Sequence, residues 1–153
     1  MTPSTLVHPA PVLTADTTQP RRVARRVAAV VIGLVAIFVT TTVIDVALHV
    51  TGVFPPLDQM SDGQRMSDGL FALALAYRVA TGVLGSYVTA RLAPDRPVQH
   101  AVALGVVGVA ISSAGAAVMW NAGPAWYSLG VIAVALPCAW LGGRLRARQL
   151  GPA

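Results

Sequence analysis

Residues 27–50 read VAAVVIGLVAIFVTTTVIDVALHV, and this stretch decides the fold. Asp45 and His49 are its only ionisable side chains, so an apolar run of this length needs a solvent other than water. About 20 apolar residues in a helix cross a hydrocarbon core of roughly 30 Å. The stretch is therefore a transmembrane helix. Four arginines stand just before it, Arg21, Arg22, Arg25 and Arg26, preceded by a Pro- and Thr-rich tail with little apolar periodicity. That tail, residues 1–26 with the basic cluster, is expected to be disordered and cytoplasmic.

Three further apolar stretches follow the first. Residues 70–90 are interrupted only by Arg78, residues 101–120 carry no charge, and residues 126–143 precede Arg144, Arg146 and Arg148. The fold expected is all-α: an antiparallel four-helix transmembrane bundle over residues 27–143, with a basic cytoplasmic tail at 144–153. The loop after the first helix holds Pro55, Pro56 and a tandem echo, Met60-Ser61-Asp62-Gly63 and Met66-Ser67-Asp68-Gly69. The echo lacks the spacing and closing Glu of an EF-hand. Ser67 or Asp68 is better suited to cap the second helix. Pro124 is placed to open the fourth helix, and Pro137 to kink it unless its freed carbonyl finds another partner.

The whole composition agrees with a membrane solvent. Of 153 residues, 55% are hydrophobic and 11% charged, against about 25% charged in a soluble domain; the mean hydropathy is +0.66. A soluble enzyme, a disordered chain and a disulfide scaffold are excluded. Every one of the 11 basic residues is Arg and every one of the 6 acidic residues is Asp, a pattern that GC-rich coding produces. The pI near 10.7 is not a nucleic-acid signal, because the arginines flank apolar segments as a membrane protein requires. Cys138 stands alone inside an apolar run, which rules out an internal disulfide and a C-x-x-C pair.

Orientation comes from the arginines. Nine of them fall on one side of the expected bundle, in the N-terminal cluster, the 91–96 turn and the C-terminal tail. Arg65 is on the other side and Arg78 lies within the membrane. Positive residues mark the cytoplasmic face, so both termini are expected there, with Trp120, Trp126 and Tyr127 at the opposite interface. The first apolar stretch outruns the 7–15 residues of a signal-peptide core and no small-residue cleavage site follows, so it is read as a retained helix.

Small residues at four-residue spacing predict where helices touch. The rows are Ala72-Ala76-Ala80, Gly82-Ser86-Ala90, Ala101-Gly105 and Gly108-Ser112-Ala116. They serve packing within the bundle or contacts with another copy.

Asp45, His49 and Arg78 are the residues with chemistry to offer. Asp45 lies about 7–8 Å inside the end of the first helix and Arg78 about 12 Å inside the start of the second, at 1.5 Å per residue. A long arginine stem bridges that offset. A lone charge near the bilayer centre costs up to about 3 kcal/mol, so an Asp45–Arg78 ion pair is expected, with His49 one turn beyond Asp45 on the same face. One reading makes the trio a proton or ion relay, or an anion pocket at Arg78; the other makes it a pair that sets helix register. A dual-topology exporter of four short helices is excluded by the arginine bias. Haem is excluded because His49 and His100 sit at opposite depths and His8 is in the tail, and Gly82 to Ser86 does not match G-x-S-x-G. No catalytic, cofactor or metal site is expected.

Ala76-Tyr77-Arg78, Gly85-Ser86-Tyr87, Ala90-Arg91-Leu92-Ala93-Pro94, Arg96-Pro97, His100-Ala101, Gly123-Pro124-Ala125-Trp126-Tyr127, Leu136-Pro137 and Gly142-Gly143 together resemble an uncharacterised family of small four-helix bacterial integral membrane proteins. The resemblance spans about half the chain. It implies four helices in a bacterial inner membrane and no particular activity. Two functions follow from the whole reading. The first is a structural or accessory component that meets the bilayer and another membrane protein through its small-residue faces. The second is a homo-oligomeric transporter or channel using Asp45, His49 and Arg78, oligomeric because one bundle is expected to enclose little space.

Overall fold

The computed structural model describes residues 18–56 and 66–151. Residues 1–17 of the N-terminal tail, with His8, lie outside the described residues, as do Arg65, the first half of the Ser-Asp-Gly echo and residues 152–153. Among the described residues there are four α-helices: α1 (Thr18–Val50), α2 (Asp68–Leu92), α3 (Pro97–Val118) and α4 (Ala125–Gln149). A 3-10 turn over Trp120–Ala122 joins the last two. All four are long and apolar enough to cross a membrane.

Each helix runs beyond the apolar stretch that announces it. α1 starts at Thr18 and so takes in Arg21, Arg22, Arg25 and Arg26, which correcting the expected disordered tail makes part of the helix. α4 likewise continues through Arg144, Arg146 and Arg148 to Gln149. Arginine is a good helix former, and a helix already nucleated in the apolar segment extends at the cost of one residue at a time. Apolar length marks a bilayer crossing, whereas helix length ends where a turn residue ends it. For α1 that residue is Gly52, whose φ of +72° is left-handed, and the turn returns the Phe54 N–H to the Leu48 carbonyl at 2.9 Å. Ser67 occupies the N-cap of α2, but its hydroxyl makes no capping bond; its carbonyl accepts from Leu70 and Phe71 N–H instead. α4 stays helical through Pro137.

Successive helices alternate in direction. Gly33 meets Gly85, Thr41 meets Thr81 and Asp45 meets Tyr77, which is antiparallel register for α1 and α2. α3 and α4 are antiparallel too, with Gly105 against Ala139 and Gly143 against Ala101. The neighbours are not simply in chain order, however. α4 packs more extensively on α2 than α3 does, and that pair is parallel: Phe71 touches Tyr127, Leu75 touches Gly130 and Ser86 touches Gly142. Around the bundle the order is α1, α2, α4, α3, closed by a light α3–α1 seam.

One end carries the arginines and the other Trp120, Trp126 and Tyr127, and packing differs sharply between them. Toward the arginine end the helices meet at glycines. A Cβ on Gly33 would sit 2.9 Å from the Gly85 carbonyl oxygen, and one on Gly142 would sit 2.6 Å from the Val83 carbonyl oxygen. Only glycine permits these approaches. One on Gly105 would lie 2.5 Å from the Ala139 Cβ. Leu104, Thr89, Ala101 and Ala139 are fully buried here. Two exposed-end contacts tie the same region: Arg26 donates to Asp95 at 2.5 Å, and the Tyr87 hydroxyl donates to the Gln149 side-chain carbonyl at 2.8 Å. The bond from Arg26 holds the Asp95 carboxyl below its ordinary pKa.

At the aromatic end α2 and α4 stay packed through Phe71 on Tyr127 and Leu75 on Gly130, while α3 draws away. A Cβ on Gly115 would meet nothing within 4 Å, and Gly108 has only ordinary contact with Ala135. The Gly108-Ser112-Ala116 row therefore touches α4 only at Gly108 and otherwise lines the cleft. Ala72, Ala76 and Ala80 are exposed on the outer face of α2, whose buried side holds Phe71, Ala74 and Thr81. Of the four small-residue rows, only Gly82-Ser86-Ala90 and Ala101-Gly105 sit along their whole length where helices of this bundle touch.

Candidate functional site

Gly33, Ile37, Thr41, Asp45 and His49 recur every four residues along one face of α1, so they form a single stripe. Against it α2 sets Gly85, Thr81, Arg78 and Tyr77. The glycine crossing fixes the register, and the polar pairs follow from it turn by turn. The hydroxyls of Thr41 and Thr81 are 3.1 Å apart and buried. One turn on, the Tyr77 hydroxyl donates to Asp45 Oδ1, and an Arg78 terminal nitrogen lies 3.5 Å from Asp45 Oδ2. One turn further, His49 Nδ1 donates to the Asp45 backbone carbonyl at 2.8 Å. The fold thus brings together all three residues expected to meet.

Asp45 and Arg78 touch loosely. A charge-assisted pair closes to about 2.7–2.9 Å when it is tight, and this pair has one contact at 3.5 Å. Both side chains stay about one-third exposed, 32% for Asp45 and 35% for Arg78. Arg78 Nε, by contrast, is enclosed and has no partner among the described residues. With Tyr77 on Asp45 Oδ1, both side chains still keep part of their surface open to the space beside them. His49 is half-buried, with both ring nitrogens turned away from the open space. Its ring stands edge-on to Phe54, centroids 5.4 Å apart, and its Nε2 is buried without a partner among the described residues. Phe54 is itself 3% exposed, folded back over the histidine by the turn at Gly52.

The space beside the pair is large. A cavity of about 820 Å³ toward the aromatic end is bordered by Asp45, His49, Tyr77, Arg78, Ser112 and Tyr127, among others. A second, of about 580 Å³ toward the arginine end, is walled mainly by apolar side chains such as Leu34, Phe38, Leu104 and Val134. Arg78, Ile111, Ser112 and Val131 border both, so the two are stacked with Arg78 at the junction. Both are clefts open to the outside of the bundle, in keeping with the expectation that one bundle encloses little space. They form because the glycine and alanine face of α3 leaves no side chains to fill the gap. Val35, Phe38 and Ile111 line the lower chamber while being at least half exposed, which opens that chamber sideways through the α3–α1 seam.

Tyr77, Thr41, Thr81 and Phe54 join the site without being among the expected residues. A signal existed for the threonines, since Thr41 lies four before Asp45 and Thr81 three after Arg78, the spacings at which helix neighbours share a face. Tyr77 stands next to Arg78 and so at nearly its depth. Phe54 had no signal, because its place depends on the turn at Gly52. Compared with known proteins, the chain matches no family model, no curated protein and no solved structure.

Proposed function

We propose that this chain is a multi-pass protein of a bacterial inner membrane, with both termini cytoplasmic, that works as a non-catalytic accessory component by holding another membrane constituent in its cleft. The observation that carries this reading is the taper of the bundle. Its arginine end is shut by glycine contacts between backbones, while its aromatic end opens on stacked cavities that reach the bilayer through the α3–α1 seam. With the arginines inside, such a shape receives a guest from the outer leaflet or periplasm and offers it no way through.

The transport reading draws support from Asp45 and Arg78 lining the cavity, and it demands a state open on the arginine side. Thiol labelling separates the two. In a Cys138→Ala background, Ser112→Cys should react with a membrane-impermeant maleimide added to spheroplasts and stay unreacted in inverted vesicles. Labelling from the cytoplasmic face would overturn the accessory reading in favour of alternating access.

A further inference from the structure

We propose that the cleft takes a neutral single-chain lipid headed by a hydroxyl, with the head between Asp45 and Arg78 and the chain in the lower chamber. This rests on reading the cleft as a binding site, and it adds what the site selects.

The head-group argument is one of charge. Asp45 and Arg78 carry opposite charges, and His49 turns Nδ1 to a backbone carbonyl. Within the cavity Tyr77 takes Asp45 Oδ1, and what the pair offers a guest is Oδ2 as acceptor beside the guanidinium as donor, joined by a single long contact. An ionised guest would add a charge beside a pair that already cancels, and neither member could serve it as counter-charge without giving up the other. A hydroxyl matches both sides at no such cost: its oxygen accepts from the guanidinium while its proton goes to the carboxylate. The loose pair becomes a bridged one, and every group keeps its charge.

The chain argument is one of shape. From Arg78 toward the arginine end the wall is apolar: Leu34, Ile37, Phe38, Leu104 and Val134. About 580 Å³ falls in the range of pockets for small ligands. The seam between Phe38 and Ile111 gives a hydrocarbon chain a lateral way in from the bilayer. With the aromatic end outward, head and chain point as they do in an outer-leaflet lipid. Ser112, on the border of both cavities, stands where head gives way to chain.

The test uses the purified full chain in nanodiscs and a hexadecanol probe with a diazirine near the chain end. Competitors share the sixteen-carbon chain and differ only in head: hexadecanol, hexadecyl sulfate and hexadecyltrimethylammonium. We expect crosslinks on α1 and α3 around Phe38 and Ile111, and competition at least tenfold stronger by the alcohol than by either ion. Gly108→Leu should cut labelling at least tenfold, and Gly115→Leu, whose Cβ meets open space, gives a second variant that blocks the upper cavity. The Asp45→Leu/Arg78→Leu double variant should keep labelling but lose the preference for the alcohol. Equal competition by all three heads, with labelling still blocked by the glycine variants, would overturn the head-group inference and leave the cleft as a binding site. Stronger competition by the sulfate would do the same and make Arg78 an anion site. Labelling indifferent to every competitor and both glycine variants would overturn the cleft reading itself.

Discussion

Arg78 is the residue at which the energetics of this molecule concentrate. It sits far from either end of α2 with one partner at 3.5 Å, and the position is tolerable because Asp45 supplies the opposite charge and the cavity leaves part of the side chain open. Removing either member strands the other. Asp45→Asn or Arg78→Leu alone should each lower membrane abundance, the unpaired charge costing up to about 3 kcal/mol. The double replacement should recover much of that loss, as quantified by immunoblot of membrane fractions. A double variant as depleted as the worse single one would show that the two charges do not stabilise each other. The pair is legible in the sequence, because helix rise alone puts the two residues within an arginine's reach. Tyr77 is not: a tyrosine inside an apolar run has several ordinary uses, and only the register set at Gly33 and Gly85 brings its hydroxyl to Asp45.

At the scale of the helices, glycines do two opposite jobs. Gly85 lets α1 and α2 touch, since a Cβ there would overlap Ile37 and come within 2.9 Å of the Gly33 carbonyl oxygen. Gly115 faces nothing within 4 Å. Gly85→Ala should therefore destabilise by about 1–3 kcal/mol through overpacking, whereas Gly115→Ala should be neutral or stabilise by up to about 1 kcal/mol through helix propensity. Thermal unfolding of both variants in one detergent compares them directly, and equal shifts would contradict the assigned packing. Spacing cannot tell these glycines apart, nor show that Ala72, Ala76 and Ala80 face outward. A four-residue repeat says that small residues share a face, and leaves open which way that face turns. The helices themselves are plain from apolar length, but their ends are not. Apolar length reports the bilayer, and Arg21 to Arg26 belong to α1 beyond it.

For the whole molecule, short connections dictate that successive helices alternate in direction, but they do not dictate the order around the bundle. The parallel contact of α2 with α4 is set by Gly142 fitting against Val83 and Tyr87, a match between residues far apart in sequence. That contact sets α2 between α1 and α4, so α1 packs on α2 and meets α3 only lightly. The orientation proposed for this assembly has its own check. A phosphatase reporter fused after Arg148 should be silent and a fluorescent cytoplasmic reporter at the same point bright; the reverse would invert the topology.

The mounting of α1 has a mechanical consequence. The helix rests against α2 at Gly33, where the backbones are in contact, and is tethered at Arg26 to Asp95 on one side of that point. Asp45 lies on the other side. Beyond Gly33 the Thr41–Thr81 hydroxyl pair and the Tyr77–Asp45 bond keep α1 on α2 as far as Asp45, about 18 Å along the helix at 1.5 Å per residue. The two helices thus form one arm, and any widening of the cleft falls to the light seam between α1 and α3.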